Sequence, residues 1–297
     1  MRITLRNFPL EQFGWGFGAA SLALVVAVML PGQRSARHRT VLPGLLVTAA
    51  ALGAIGRTWP VSASTVLGLA GVTVAAAWLT RPPSGATAWL AALALMTPAA
   101  WLLAADASST AWVRGFLVAA LVVAVPASGR ADVEYGPAGL TPVLYAAAAA
   151  GVFAAVPDTE QAATLLGASV PLALLGWPLG AGRLGPPGAG AATALLVWVA
   201  AVGGRGREPS IIGAVACLGL LVTLPAGQWL AARAGRRRPV RRPRRLNLTL
   251  VLVQLVIVAV ESRVAGLSTD LAVASAVTAA TLLVALAASV LLAARPH

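Results

Sequence analysis

The chain has 297 residues, of which 59% fall in the hydrophobic set and 10% are charged, with a formal net charge of +13. An ordinary soluble domain carries about 25% charged residues. So few charges cannot clothe a globule of this length, which excludes a soluble enzyme, a free nucleic-acid-binding domain and a disordered chain. All 22 basic residues are arginine, and most lie in short loops between apolar runs, where they orient a membrane protein rather than bind nucleic acid. The abundance of Ala, Gly, Pro and Arg is that of a GC-rich coding sequence and points to a bacterial source.

In chain order, eleven apolar runs stand out at about 13–30, 41–56, 61–79, 86–105, 110–125, 139–156, 162–180, 189–203, 211–231, 246–261 and 270–293. A membrane helix needs about 20 residues, so the spacing predicts an all-α, polytopic membrane bundle of about 11 helices with no room for a soluble domain. The first run lacks a clear A-x-A cleavage site and is read as a retained helix. Between 246 and 294, the cluster Glu261, Arg263 and Asp270 is read as a loop dividing two helices. The organisation expected is a bundle of about nine helices over 1–232, an Arg/Pro-rich cytoplasmic loop at 233–245 and a two-helix hairpin at 246–297.

Charge on alternate loops sets the orientation. With residues 31–40 in the cytoplasm, the inner loops and C-terminus hold 15 arginines and two acids, Asp132 and Glu134. The outer set holds six arginines and seven acids. Retention of arginine on the cytoplasmic side predicts an outer N-terminus and an inner C-terminus. The tryptophans fall near helix ends, the depth at which indole settles; Trp198 is among them. Hairpins recur about every 50 residues, without residue-level self-similarity.

The most distinctive segment is Arg233–Arg245, RAGRRRPVRRPRR. Arg236, Arg237, Arg238, Arg241, Arg242, Arg244 and Arg245 form a topology anchor or a docking site for anionic lipids or an acidic partner. The segment that follows, LNLTLVLVQLVIVAV, is rich in Leu and Val where earlier helices are rich in Ala and Gly, so the hairpin is expected at the periphery or at a subunit interface. Gln254 is polar near the centre of a run and needs a hydrogen-bonding partner, from a helix, a substrate or a subunit. Arg114 snorkels to the headgroups, pairs with Asp106, or meets a substrate phosphate. Asp158 and Glu160 in VPDTEQ, and Asp132 and Glu134 in ADVEYGP, are D-x-E pairs in loops, able in principle to hold a divalent cation or to serve as acid and base. Pro98, Pro142, Pro171, Pro178 and Pro225 lie within runs, where proline frees a backbone carbonyl. Gly14–Gly18 and Gly176–Gly180 fit GxxxG, a weak signal among 30 glycines.

Absences narrow the chemistry. Cys217 is the one cysteine, an apolar core residue by its setting, and His38 and His297 stand in solvated positions unsuited to metal or catalysis. No lysine is present for a Schiff base or a phosphate loop, and no motif calls for a cofactor. No acid falls in the middle of a run, which argues against an ordinary ion-coupled carrier of polar solutes. A permease or flippase for an amphiphilic or lipid-linked substrate is the leading expectation. A non-catalytic subunit of an envelope assembly, with a membrane-protein partner, is second. A lipid-modifying enzyme using the outer acids is third. The bilayer with its anionic lipids is the partner common to all three, and nucleic acid is not expected.

Overall fold

The runs are apolar on all faces, with no polar stripe to turn toward water, so the backbone must satisfy its own hydrogen bonds within each segment. Each run is helical over its described part in a computed structural model, which describes residues 8–29, 42–79, 86–107, 110–135, 139–176, 184–234, 244–267 and 270–294. The helices are α1 (Leu10–Met29), α2 (Leu42–Ile55), α3 (Ala63–Leu79), α4 (Ala86–Ala107), α5 (Ala111–Tyr135), α6 (Leu140–Ala155), α7 (Glu160–Gly176), α8 (Gly185–Gly203), α9 (Glu208–Ala216), α10 (Gly219–Arg233), α11 (Arg244–Leu267) and α12 (Leu271–Ala294). Among the described residues there is no strand. The protein is an all-α membrane bundle.

Six helices (α1, α4, α5, α8, α11 and α12) are each long and apolar enough to cross a bilayer, and α9 with α10 makes a seventh candidate bent by 51°. Helices α2, α3 and α6 are apolar but shorter. At 1.5 Å per residue, the 14 residues of α2 fall short of a hydrocarbon core of about 30 Å. Length and composition therefore support six or seven spans on their own, against the eleven read from the sequence.

Helix α8 is the axis. Its span is 83% buried, whereas that of α12 is 11% buried. Packing places α8 against α2, α3 and α5, pairs α1 with α7 and α3 with α4, and seats α10 on α12. Large side chains such as Leu67, Leu90, Val284 and Leu291 point outward at more than 60% exposure, as lipid-facing positions do. In lipid, close van der Waals contact replaces the hydrophobic drive between helices, and small residues permit it. Gly16 lies against the Thr164 carbonyl of α7, and Gly167 against the Phe13 carbonyl of α1. Gly44 and Gly188 bring α2 onto the start of α8. At the GxxxG pair Gly14 and Gly18, a Cβ would meet nothing within 4 Å; the packing face of α1 is the one through Gly16. At α8, Gly185 turns the chain with φ 68°, and Pro186 and Pro187 follow in the first turn, where no intrahelical N–H is needed.

End-to-end contacts show how the helices alternate. Arg57 after α2 covers Trp15 of α1, 3.7 Å from its ring centre, and Thr65 of α3 bonds Asp106 of α4 at 2.5 Å. Trp112 of α5 donates to Glu208 of α9 at 2.9 Å, and Asp158 N, before α7, to Gly203 O of α8 at 3.2 Å. At the opposite end, Leu184 N, before α8, donates to Asp132 of α5 at 3.3 Å, and Gln228 of α10 to Tyr135 of α5 at 2.5 Å.

Three sequence expectations need correction. Helix α5 runs to Tyr135, so Asp132 and Glu134 belong to a helix and not to a loop. Helix α11 runs to Leu267, so Glu261 is helical and fully buried at 0% exposure. A charged residue marks a helix end only when its side chain stays outside the bundle, and both Asp132 and Glu261 turn inward. Trp198 is no interfacial residue: it is 1% exposed within α8, its indole N–H 3.4 Å from Asp106 Oδ2. His38, Trp177, Pro178, Gly180, His297 and the arginines at 34, 37, 39, 81, 183 and 236–242 lie outside the described residues, as do the side chains of Arg244 and Arg245.

The Gly16 contact is testable. Gly16→Val forces a side chain into the α7 backbone and should destabilise the fold by about 1–3 kcal/mol, read as a lower unfolding midpoint in detergent. Gly14→Val should leave the midpoint unchanged.

Candidate functional site

The bend between α9 and α10 falls at Cys217–Leu218, with no proline at the break. Hydrogen bonds tighten there from the i−4 to the i−3 pattern, Leu218 N donating to Val215 O at 3.0 Å. Gln254 of α11 inserts at this point: its Nε2 donates to Cys217 O at 2.6 Å. A side chain entering the backbone ladder is a recognised cause of a kink. Gly151 of α6 makes room on the other side, where a Cβ would meet Cys217 Sγ at 2.5 Å. Gln254 is 0% exposed, and its Oε1 has no partner. On the same side of α11, seven residues on, Glu261 accepts a 2.7 Å hydrogen bond from Thr278 of α12 at Oε2, while its Oε1 is buried without a partner.

A second feature lies between α2, α6, α7 and α8. These helices leave a crevice with a cavity of about 30 Å³, the room of about one water, walled by Val47, Ala51, Leu165, Leu172, Ala192 and Leu196. The few polar groups on its lining are the hydroxyls of Thr48, Ser169 and Tyr145. The Tyr145 hydroxyl donates to Ala189 O at 2.6 Å and lies 2.5 Å from Thr193 Oγ1. Ser128 of α5 donates to Val125 O at 2.9 Å and approaches Ala189 O at 3.5 Å. Behind these, Asp132 is 1% exposed and receives Leu184 N just before α8, where a carboxylate complements the positive end of a helix. The crevice is thus apolar on its walls, and its other two hydroxyls also donate to backbone carbonyls, Thr48 to Gly44 O at 2.8 Å and Ser169 to Leu166 O at 2.7 Å.

The residues singled out from the sequence do not converge. Gln254 is in the interior, at the α9–α10 break. Asp158 lies where α8 ends, and its Oδ1 receives Glu160 N at 3.4 Å in a local turn leading into α7. Glu160 is exposed in the first turn of α7, where a negative charge is favourable. The other D-x-E pair separates because residues two apart on a helix point to different sides: Asp132 is buried, Glu134 only partly. Arg114 is partly buried in the first turn of α5. Asp106 is held by Thr65 and Trp198, and Arg205 donates to the carbonyls of Asp106 and Ala107 at the end of α4.

Sequence reasoning gives no functional signal for Tyr145, Thr48, Ser169 or Glu261. Single hydroxyls in apolar runs carry no periodicity, and Glu261 has the sequence neighbours of a loop. No protein-family model matches the chain, and no curated protein matches it. Its six helices long and apolar enough to cross a bilayer make it a multi-pass membrane protein.

Removing the amide tests the break. Gln254→Leu leaves Cys217 O without its side-chain donor and should lower stability by about 1–3 kcal/mol, measured by unfolding in detergent. An unchanged midpoint would show that the kink holds without it.

Proposed function

We propose that this chain is a permease or flippase-type carrier for an amphiphilic or lipid-linked substrate, set in a bacterial plasma membrane with the N-terminus outside and the C-terminus inside. The observation that carries this reading is the crevice between α2, α6, α7 and α8. Its walls suit a hydrocarbon chain, and Tyr145, Thr48 and Ser169 offer hydroxyls to the polar part. At about 30 Å³ the crevice is nearly closed, so loading requires α2 and α7 to part from α6 and α8. The bent pair α9–α10 adds a discontinuous helix of the kind carriers place at their sites. For the orientation, the support is the arginine excess on one set of loops.

A subunit role is the second reading, and it draws on α12, whose span is only 11% buried. Purification from native membranes in mild detergent with native mass spectrometry separates the two. A stoichiometric protein partner favours the subunit; a retained lipid favours the carrier.

For transport itself, the purified chain is reconstituted in liposomes holding a headgroup-fluorescent phospholipid. Access of an external quencher to inner-leaflet label is then followed. We expect the wild type to expose that label and Ala192→Val, which adds two carbons to the crevice wall, to weaken the effect with an unchanged unfolding midpoint. Exposure equal to that of protein-free liposomes would overturn the reading for this lipid class. For orientation, a reporter active only in the cytoplasm should work when fused at the C-terminus, and a reporter active only outside should not.

A further inference from the structure

The sequence places no acid in the middle of a run, but α11 buries one near the end of its apolar stretch. Glu261 lies four residues before the end of the apolar stretch Leu248–Ala265 and is 0% exposed. Its Oε2 takes the Thr278 hydroxyl at 2.7 Å; its Oε1 is buried with no donor. On the α9 side the approach is backbone to backbone: a Cβ on Gly213 would sit 2.9 Å from Glu261 O and 2.8 Å from Ala265 Cβ.

The charged and titratable groups on the surrounding helices are few. Arg207 and Glu208 stand at the start of α9, and Cys217 at its end. Arg263 follows on α11, and Asp270 precedes α12. Helix α6 offers Tyr145, which bonds within its own cluster near α8, and α10 offers Arg233 at its far end, over Trp229. Among the described residues, the polar groups beside the Glu261 carboxyl are two hydroxyls of α12, Thr278, which donates to Oε2, and Thr281, which donates to Val277 O at 2.9 Å, and no cation. An unbalanced charge in apolar surroundings is costly, and binding a proton removes it. A metal ion would need several converging oxygens. Only one carboxylate oxygen is open here, and the other unused acceptor on this side of α11, Gln254 Oε1, is seven residues or about 10 Å away along the helix.

We propose that Glu261 is a proton-binding site that couples this protein to a proton gradient, loading and releasing a proton as α9 and α12 shift against α11. Coupling rests on the carrier reading above; proton binding does not. The step is simple in balance: a proton from water forms an O–H bond at Oε1 and later returns to water. The end of α11 at Leu267 is six residues away, about 9 Å, and Ser210 at the start of α9 lies beside it, 3.4 Å from Ala265 O.

The test uses the full chain in liposomes and the apolar reagent dicyclohexylcarbodiimide, which attacks protonated carboxyls shielded from water. Peptide mass spectrometry should find the adduct on Glu261, with a yield that falls as pH rises, and none on exposed Glu160 or Asp270. Glu261→Gln keeps an acceptor for Thr278, so it should fold with an unchanged unfolding midpoint and lose the adduct. Absence of the adduct at every pH, a yield indifferent to pH, or protection by sodium at constant pH would each overturn the proton site. The same liposomes carrying fluorescent lipid then separate the two claims. Lipid movement that responds to an imposed pH gradient in the wild type but not in Glu261→Gln supports coupling. Equal responses overturn coupling. A pH-dependent adduct with no lipid movement in any liposome sustains the proton site and removes the carrier reading.

Discussion

Inside a bilayer, a backbone carbonyl set apart from its helix has no water to turn to. The C-terminal half of this protein is organised around that constraint. At Cys217–Leu218 the helix bends by 51°, and the Gln254 amide takes up the Cys217 carbonyl at 2.6 Å. That contact ties the bend to α11 and lies on the side of α11 that faces α9. Glu261, seven residues on, lies on the same side, toward α9 and α12. Helices α11 and α12 do not form a hairpin packed on itself: α11 lies on α6 and α9, and α12 on α10 and α9.

The N-terminal half uses a different means of holding helices together. Lipid tails are as apolar as leucine, so burial of Leu or Val between helices brings little advantage over leaving it in lipid. Shape and close approach decide instead. Glycines at 16, 44, 167 and 188 let backbones meet, and α8, with its run of small residues, is enclosed by its neighbours. Where the enclosing side chains thin out between α2, α6, α7 and α8, a crevice is left, with Tyr145 tied at its edge to Ala189 and Thr193. The hydroxyls and carbonyls there answer one another, so the polar cluster is tolerated at depth and remains beside the space a substrate would enter.

Much of this is legible in the residues. The helical class follows from apolar runs bounded by arginine and proline, and each run is a helix or, at 211–231, a bent pair. The identity of the lipid-facing helices is partly legible too, since Leu and Val concentrate in α11. Less legible are the ends of helices that carry acids. Asp132 and Glu261 have the appearance of loop residues, because a charge in a linear sequence is indistinguishable from one whose side chain has found Leu184 N or Thr278. The GxxxG pair at Gly14–Gly18 misleads for a related reason: spacing identifies a face, but not whether another helix lies against it.

Composition alone settles the solvent. With 10% charged residues the chain belongs in lipid, where the backbone must pair as helix or closed barrel, and apolar runs mostly of 16–24 residues choose the helix. Which polar atoms are left over is a matter for the packed bundle. Hydrogen-bond satisfaction is a property of neighbours distant in sequence: Gln254 with Cys217, Glu261 with Thr278, Tyr145 with Ala189 and Thr193. Residue type announces a need for a partner. Only the arrangement of helices in space meets that need at Gln254 Nε2 and Glu261 Oε2 and leaves it unmet at the Oε1 atom of each.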